Sequence, residues 1–306
     1  MTTAPLPDAA PDNWVDRFAP EALRPWLKLG RFDRPAGIWL LMLPGWQGIA
    51  LAASGGGDWP SWRLLLLFAV GAAVMRAAGC AYNDIVDRKI DASVARTARR
   101  PVASGRIPVR AAWIYLVGLS LIGLAILLTL HPVAVALGVA SLGLVAAYPF
   151  MKRITWWPQA WLGLTFNWGA LLGYAALEGE LSAPAILLYV SGVFWTLGYD
   201  TIYALQDLED DALIGVKSSA RRLGAQTQRG VLIFYAAAAG AALAAGMLAQ
   251  LGPLFYLGWL LFTAHLLRQA ARVSIDDPRR ALMLFRSNRD AGLLLFAALV
   301  AGFWRY

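Results

Sequence analysis

The sequence has little of several features on which soluble and disulfide-rich proteins rely. Its one cysteine, Cys80, excludes an internal disulfide, and its two histidines, His131 and His265, are too far apart to indicate a paired metal site. Charged residues make up only 15% of the chain, whereas roughly 25% is usual for a soluble domain. The first 30 residues are polar and proline-rich and contain no apolar segment typical of a secretory signal peptide, so we expect no cleaved leader.

What the chain has instead is a succession of long apolar runs. Hydrophobic residues make up 59% of its 306 residues, and its mean hydropathy is +0.55. A membrane-spanning helix needs about 20 apolar residues. Runs close to that length, bounded by Gly, Pro or charged residues, occur at 36–53, 62–82, 111–130, 133–150, 157–176, 183–206, 230–250, 253–271 and 290–304.

These runs predict an all-α integral membrane protein with about nine transmembrane helices, in two groups of four plus one. We expect 1–30 to form a polar N-terminal tail and 31–306 to form a single transmembrane domain. Two connections differ from the others because they are long and highly charged, namely 83–110 and 207–229. Since four predicted helices separate them, both connections lie on the same face of the membrane.

Basic residues are distributed very unevenly between the two faces. Of the 27 lysines and arginines, only Arg63 and Arg305 fall on the face opposite the two charged connections. Lysine and arginine are enriched in the cytoplasmic connections of membrane proteins. The asymmetry therefore predicts a multi-pass protein of the bacterial inner membrane, with the N-terminal tail, the charged connections and the active site facing the cytoplasm.

The first charged connection opens with an acidic motif, NDIVDRKID. If the second predicted helix continues through it, Asn83, Asp87 and Asp91 recur every four residues and share one helical face. Amide and carboxylate oxygens suit a hard cation such as Mg²⁺. The alternative is a solvated helix end whose acids balance nearby arginines and lysines.

A second acidic motif lies in the segment YDTIYALQDLEDDALIGVKS. Asp200, Tyr203, Asp207 and Asp211 are separated by steps of 3, 4 and 4 residues, which would place all four on one helical face. Asp200 and Tyr203 lie inside an apolar run, where an ionisable group is costly and usually functional. The alternative is a single acid paired with an arginine of a neighbouring helix. Together, the two motifs predict carboxylates that converge on a Mg²⁺–diphosphate.

Basic residues add candidate anion sites near these motifs. Arg76 precedes Asn83 by seven residues, so it falls on the same helical face, on the order of 10 Å deeper. It either binds a substrate carboxylate or pairs with Asp87 or Asp200. The candidates for binding diphosphate oxygens are Arg96, Lys152, Arg153 and Lys217, whereas we expect most other basic residues at this face to contact lipid headgroups.

Four segments of the chain resemble the 4-hydroxybenzoate polyprenyltransferases of the UbiA superfamily: RAAGCAYNDIVDRKID, RTARRPVASG, YPFMKRIT and YDTIYALQDLEDDALIGVKS. The resemblance extends from 31–44 to 287–296 and implies a nine-helix intramembrane enzyme of ubiquinone biosynthesis. The implied reaction is the Mg²⁺-dependent transfer of a polyprenyl group from polyprenyl diphosphate to the ring carbon ortho to the hydroxyl of 4-hydroxybenzoate. By motif position, the implied metal–diphosphate ligands are Asn83, Asp84, Asp87, Asp91, Asp207 and Asp211.

Two other functions stay open at this point. One is a UbiA-type prenyltransferase with a different acceptor, such as a naphthoate, haem, chlorophyllide or a lipid glycerol. The other is a cation or metabolite transporter whose acids line an ion path. The clustering of the acids at one face disfavours the transporter, because transporter sites usually lie near the midplane of the bilayer.

The charge asymmetry makes a testable prediction about topology. In a Cys80→Ala background expressed in bacteria, a Ser104→Cys variant should not react with a membrane-impermeant maleimide in intact cells and should react in inverted vesicles. A Glu180→Cys variant, in a connection on the opposite face, is the matched control and should behave in the reverse way. Rapid labelling of Ser104→Cys from outside intact cells would contradict the topology.

Overall fold

The computed structural model describes residues 12–93, 97–208, 213 and 215–304, which form helices and turns without any β-strand in these ranges. The helices are α1 (Trp14–Phe18), α2 (Arg24–Leu29), α3 (Ala36–Gly56), α4 (Trp62–Ser93), α5 (Val109–Leu127), α6 (Pro132–Ile154), α7 (Pro158–Glu178), α8 (Ala183–Tyr203), α9 (Ser219–Leu223), α10 (Thr227–Leu248), α11 (Pro253–Ala270), α12 (Pro278–Arg286) and α13 (Asn288–Ala301). Two 3₁₀ turns, Ala204–Asp207 and Gly224–Gln226, follow α8 and α9.

Each predicted apolar run falls on one long helix, from α3 to α8 and then on α10, α11 and α13. Six of the described helical segments are long and apolar enough to cross a membrane: Ala36–Gly56, Trp62–Ser93, Val109–Leu127, Pro132–Ile154, Ala183–Asp207 and Ser219–Leu248. The prediction of an all-α, multi-pass membrane protein is confirmed. The number nine stays a prediction, since α13 has only 14 residues and a simple span needs about 20.

The chain divides into two compact units. The first unit comprises Met1–Trp39 and Ala69–Thr129, and the second comprises Leu40–Phe68 and Leu130–Tyr306. The first acidic motif therefore belongs to the first unit and the second acidic motif to the second unit. The division of the chain into a tail and one transmembrane domain stays a prediction, although α1 and α2 already give helical structure to part of the predicted tail.

Apolar side chains of the first unit pack beside its acidic motif. A buried cluster joins Leu29 at the end of α2, Ile85 of α4, Val102 and Ile107 of the connection after α4, and Ala112 of α5. Because two of these residues come from the connection, it is fixed against the helices. The backbone on either side of the first acidic motif is thus held by packing as well as by charge.

The second unit brings α3 and α7 into backbone contact through glycines. A Cβ atom on Gly173 would overlap the carbonyl oxygen of Gly45, and one on Gly48 would overlap the carbonyl oxygen of Ala170. Helices in a bilayer associate mainly through close van der Waals packing, because lipid chains are as apolar as the helix surface. The missing side chains therefore set the separation of these two helices.

We predict that Gly173→Ala destabilises the protein. Alanine normally favours a helix interior over glycine by about 0.5–1 kcal/mol, but here the added methyl group would force α3 and α7 apart at a cost of about 1–3 kcal/mol. The matched control is Gly240→Ala in α10, where a Cβ atom meets nothing within 4 Å. Thermal unfolding in detergent should give a lower Tm for Gly173→Ala and an unchanged or higher Tm for Gly240→Ala. Equal Tm values for the two variants would contradict the packing argument.

Candidate functional site

The first acidic motif lies on a continuous helix, which is the condition on which its predicted single-face arrangement depended. α4 has 32 residues and runs through the motif to Ser93. Asp84 and Asp87 are 0% exposed and Asp91 is 5% exposed, so these acids form a buried stripe along one side of the helix. The alternative of a solvated helix end is therefore wrong, because the three carboxylates are buried. Arginines do balance the charge of two of them, as that alternative expected.

Two arginines hold this stripe by ion pairs. The Arg31 Nη2 atom lies 2.6 Å from Asp84 Oδ1. Arg100 bridges two of the acids, since its Nη1 atom lies 2.9 Å from Asp91 Oδ2 and 3.5 Å from Asp84 Oδ1. Removing a carboxylate from water costs several kcal/mol unless a cation and hydrogen bonds compensate. The two guanidinium groups provide that compensation.

Spacing along the sequence does not single out Arg31 or Arg100 as site residues. The contacts of these arginines with Asp84 join residues 53 and 16 positions apart, whereas periodicity detects neighbours on a single helix. The only signal in the sequence is general: Arg31 lies just before the first apolar run, and Arg100 lies in the same charged connection as the motif.

Arg31 has an unusual backbone conformation at the end of α2. Its φ is 61°, a left-handed value that is uncommon for residues other than glycine. The turn is closed by the Gly30 amide donating to the Trp26 carbonyl and the Phe32 amide donating to the Leu27 carbonyl, both at 3.0 Å. Burial alone would lower the pKa of Arg31, but the charge of Asp84 outweighs it, and the pKa lies above its usual range.

Arg76 lies on α4 about two turns before Asn83, beside the start of α3. A Cβ atom on Gly37 would lie 2.6 Å from Arg76 Nε and 2.9 Å from Nη2. The guanidinium is therefore packed directly against the glycine. Whether Arg76 binds a substrate carboxylate or pairs with Asp87 or Asp200 stays a prediction.

The second acidic motif departs from the regular helix that its spacing assumed. α8 ends at Tyr203, and a 3₁₀ turn carries the chain from Ala204 to Asp207. The regular α-helix that the single-face arrangement assumed therefore ends before Asp207. The arrangement of the four side chains on one face stays a prediction. Asp211 of this motif and Arg96 of the basic candidates lie outside the described residues.

Aromatic side chains hold the end of α8 in place. The ring of Phe285 in α12 lies 4.6 Å from the ring of Tyr203 and 5.9 Å from that of Tyr199, measured between centroids. α12 also packs against the 3₁₀ turn that follows α8. A short helix between two of the predicted apolar runs therefore supports the second acidic motif.

The structure brings three of the predicted basic residues together at the end of α6. Lys152 and Arg153 lie in the last turn of that helix. The backbone amide of Lys217 donates to the Lys152 carbonyl at 3.0 Å, and its Nζ donates to the Ile154 carbonyl at 3.1 Å. Lys217 thus caps the helix, and we call Lys152, Arg153 and Lys217 the α6 basic cluster.

The donor atoms of the first motif fit a hard cation. Within the described parts of the chain, no three His, Cys, Asp or Glu side chains form a ready-made metal cluster. However, Asp84 Oδ2 is buried and has no hydrogen-bond partner among the described residues. An orphaned carboxylate oxygen is costly, and a cation would satisfy it. The amide of Asn83 and the carboxylate of Asp87 supply the further oxygen donors that Mg²⁺ prefers.

Comparisons with a family model and with individual proteins point to the same family of prenyltransferases. Residues 41–303 match the family model described as "UbiA prenyltransferase family". The mitochondrial 4-hydroxybenzoate polyprenyltransferase of Aedes aegypti is 48% identical over 280 residues, which cover 91% of this chain and 63% of that protein. The corresponding Bos taurus protein is 46% identical over 289 residues, which cover 94% of this chain and 78% of the bovine one. The chain thus spans less than two thirds of the mosquito protein.

Solved structures share the same fold. A UbiA homolog from Aeropyrum pernix K1, solved in its apo form, superposes with a TM-score of 0.71 and 25% identity, covering 86% of this chain and 96% of that one. A UbiA homolog from Archaeoglobus fulgidus, bound to GPP and Mg²⁺, superposes with a TM-score of 0.66 and 17% identity, covering 91% and 99%.

The contact of Phe285 with the end of α8 leads to a prediction. Phe285→Ala should raise the rate of amide hydrogen exchange across 199–208, because it removes two ring contacts worth about 1–3 kcal/mol together with their buried area. Met283→Ala is the matched control, since Met283 lies on the same helix but is 64% exposed. Mass spectrometry of exchanged peptides measures both variants. Unchanged exchange at 199–208 in Phe285→Ala would show that α12 does not support the motif.

Proposed function

Because this chain belongs to the UbiA prenyltransferase family, we propose that it transfers a polyprenyl group to 4-hydroxybenzoate in ubiquinone biosynthesis. The donor is a polyprenyl diphosphate, and the new bond forms at the ring carbon ortho to the hydroxyl. The observation that carries the proposal is the buried acidic stripe of α4 in a chain 45–48% identical to proteins named for this reaction. Family membership also removes the transporter alternative.

The proposed metal ligands are the oxygen-bearing side chains of the two acidic motifs. They are Asn83, Asp87 and Asp91 of the first motif and Asp207 and Asp211 of the second, with Asp84 beside them. Mg²⁺ bound there would stabilise the charge that develops on the departing diphosphate. Support comes from the orphaned oxygen of Asp84 and from the Archaeoglobus fulgidus homolog, which was solved with GPP and Mg²⁺.

The remaining steps are assigned to residues of the chain itself. We propose that the α6 basic cluster, together with Arg96, binds oxygens of the diphosphate and so favours departure of the leaving group. Arg76, Asp200 and Tyr203 would orient the acceptor, with the Arg76 guanidinium bound to its carboxylate. The apolar helices would exclude water, which otherwise would react with the allylic cation that the prenyl group becomes.

The cellular location belongs to the same proposal. The charge asymmetry supports a bacterial inner membrane with the active site facing the cytoplasm. The relatives compared above carry the word mitochondrial in their names. The membrane itself is expected in either setting, because a polyprenyl chain is too apolar to reach the enzyme through water.

Asp87 and Asp207 should be essential for turnover and dispensable for folding. Asp87→Ala and Asp207→Ala should each lower the rate by roughly a hundred-fold or more, because each removes a proposed ligand of the Mg²⁺ that would stabilise the leaving group. Asp276→Ala is the matched control, since Asp276 is exposed in the connection before α12. Membranes are incubated with labelled 4-hydroxybenzoate, a polyprenyl diphosphate and Mg²⁺, and the organic-extractable product is counted. EDTA should reproduce both losses, and near wild-type rates in both variants would remove the motifs from the mechanism.

A separate prediction concerns Arg76. Arg76→Lys should raise the KM for 4-hydroxybenzoate far more than the KM for the diphosphate, because lysine keeps the charge but loses the two-pronged contact. A contact of about 1.5–3 kcal/mol corresponds to roughly ten- to a hundred-fold. Gly37→Ala should act in the same direction, since its methyl group would displace the guanidinium. A selective rise in the diphosphate KM would contradict the assignment.

A further inference from the structure

We propose that Arg31 is a positioning residue of the first acidic motif, which acts by fixing the carboxylate of Asp84 in a buried ion pair. The inference rests on the proposed function for the role of the motif as a metal site, whereas the ion pair itself is independent of that function. It makes the segment before α3, which includes part of the predicted tail 1–30 and the start of the predicted transmembrane domain, part of the architecture of the site.

The contact is short, buried and local to the first unit. Arg31 is 8% exposed and Asp84 is 0% exposed, and their nearest charged atoms lie 2.6 Å apart. The second nitrogen of the guanidinium, Nη1, donates to the Lys28 carbonyl at 3.3 Å. Because Nη1 is bound to the backbone and Nη2 to Asp84, the guanidinium is fixed in place and holds the carboxylate in one orientation.

The backbone of Arg31 indicates that its side chain has a specific use. Glycine is the usual residue at a left-handed position after a helix, because any Cβ atom is strained there. The chain has an arginine at this position with φ 61°. Strain of this kind persists only where the surroundings compensate for it, and the contact with Asp84 is the compensating interaction that the structure provides.

The segment that carries Arg31 is itself anchored. Lys28 Nζ lies 2.6 Å from Asp16 Oδ1, and Trp14 Nε1 donates to the Phe32 carbonyl at 2.7 Å. These contacts join α1 and α2 to the turn on both sides of Arg31. The arginine is therefore presented to α4 by a folded support.

The ion pairs also make the two oxygens of Asp84 unequal. Arg31 and Arg100 both contact Oδ1, while Oδ2 is buried and has no hydrogen-bond partner in the described parts of the chain. Oδ1 thus anchors the carboxylate to the arginines, and Oδ2 points in a fixed direction. Loss of Arg31 would free the carboxylate to rotate, and the donor set beside Asn83 and Asp87 would lose its geometry.

A double-mutant cycle on the purified full chain tests the anchor without any turnover. Tm is measured in detergent with EDTA for Arg31→Gln, Asp84→Asn and the double variant. Each single variant should lower Tm by about 5 °C or more, and the double variant should fall no further than the worse single one, because both break the same buried pair. Arg106→Gln, at an exposed position of the same unit, should leave Tm unchanged.

Two more variants keep the test decisive. Arg31→Gly relieves the backbone strain, so a loss of Tm equal to that of Arg31→Gln assigns the effect to the side chain. If Arg31→Gln does not accumulate, Arg31→Lys is used instead, in the wild-type and Asp84→Asn backgrounds. It should lower Tm in the wild-type background and leave Tm unchanged in the Asp84→Asn background. Additive Tm losses in either cycle would overturn the ion pair as the anchor.

Kinetics then separates positioning from direct contact with substrate. Arg31→Lys should raise the Mg²⁺ concentration for half-maximal rate about tenfold, as is typical of residues that support metal ligands, and should lower kcat more than it changes the diphosphate KM. An unchanged Tm in EDTA together with a rise in the diphosphate KM alone would overturn the proposal and make Arg31 a diphosphate ligand. If no prenyl product forms with the wild-type chain, the proposed function fails, while the EDTA cycle still decides the anchor.

Discussion

A carboxylate buried in an apolar interior must be held against a cation, and in this protein that constraint shapes the whole neighbourhood of the first acidic motif. Asp84 and Asp91 are taken out of water on a helix that continues an apolar run, and the cost of several kcal/mol per ion is offset only by good geometry. The cations come from two places: Arg31 from the turn after α2, and Arg100 from the connection after α4. The left-handed backbone at Arg31 and the packing of Val102 and Ile107 lie beside those contacts.

In the second unit, the acidic motif lies where an α-helix changes into a 3₁₀ turn, and neighbouring side chains fix it there. The α-helix ends at Tyr203, and a 3₁₀ turn continues to Asp207. Phe285 packs its ring on Tyr203, and the Thr201 and Ser219 hydroxyls lie 2.6 Å apart, which ties the next helix back to α8. Farther along the unit, glycines set the distance between α3 and α7. The motif is thus held by rings and hydroxyls, whereas charges hold the first one.

The sequence was sufficient for the features that depend on local periodicity. Apolar runs and their boundaries located the long helices, and the four-residue spacing from Asn83 to Asp91 is compatible with the continuous helix on which the first motif lies. Contacts between distant residues could not be found in this way. Arg31 and Asp84 are 53 positions apart, and nothing in the pattern of PRRALMLFR indicates that Phe285 would stack on Tyr203. The 3₁₀ turn also escaped prediction, because its residues are compatible with either kind of helix.

The proposed reaction forms a bond between a prenyl carbon and the ring position beside the phenol hydroxyl. The most direct measurement uses 4-hydroxybenzoate deuterated at both ring positions beside the hydroxyl, with a polyprenyl diphosphate, Mg²⁺ and the purified protein, followed by mass spectrometry. The account predicts an organic-soluble product that has gained one prenyl group and lost one deuteron, and that is absent when Mg²⁺ is replaced by EDTA. A prenylated product that keeps both deuterons, or formation of product in EDTA at the same rate, would contradict it.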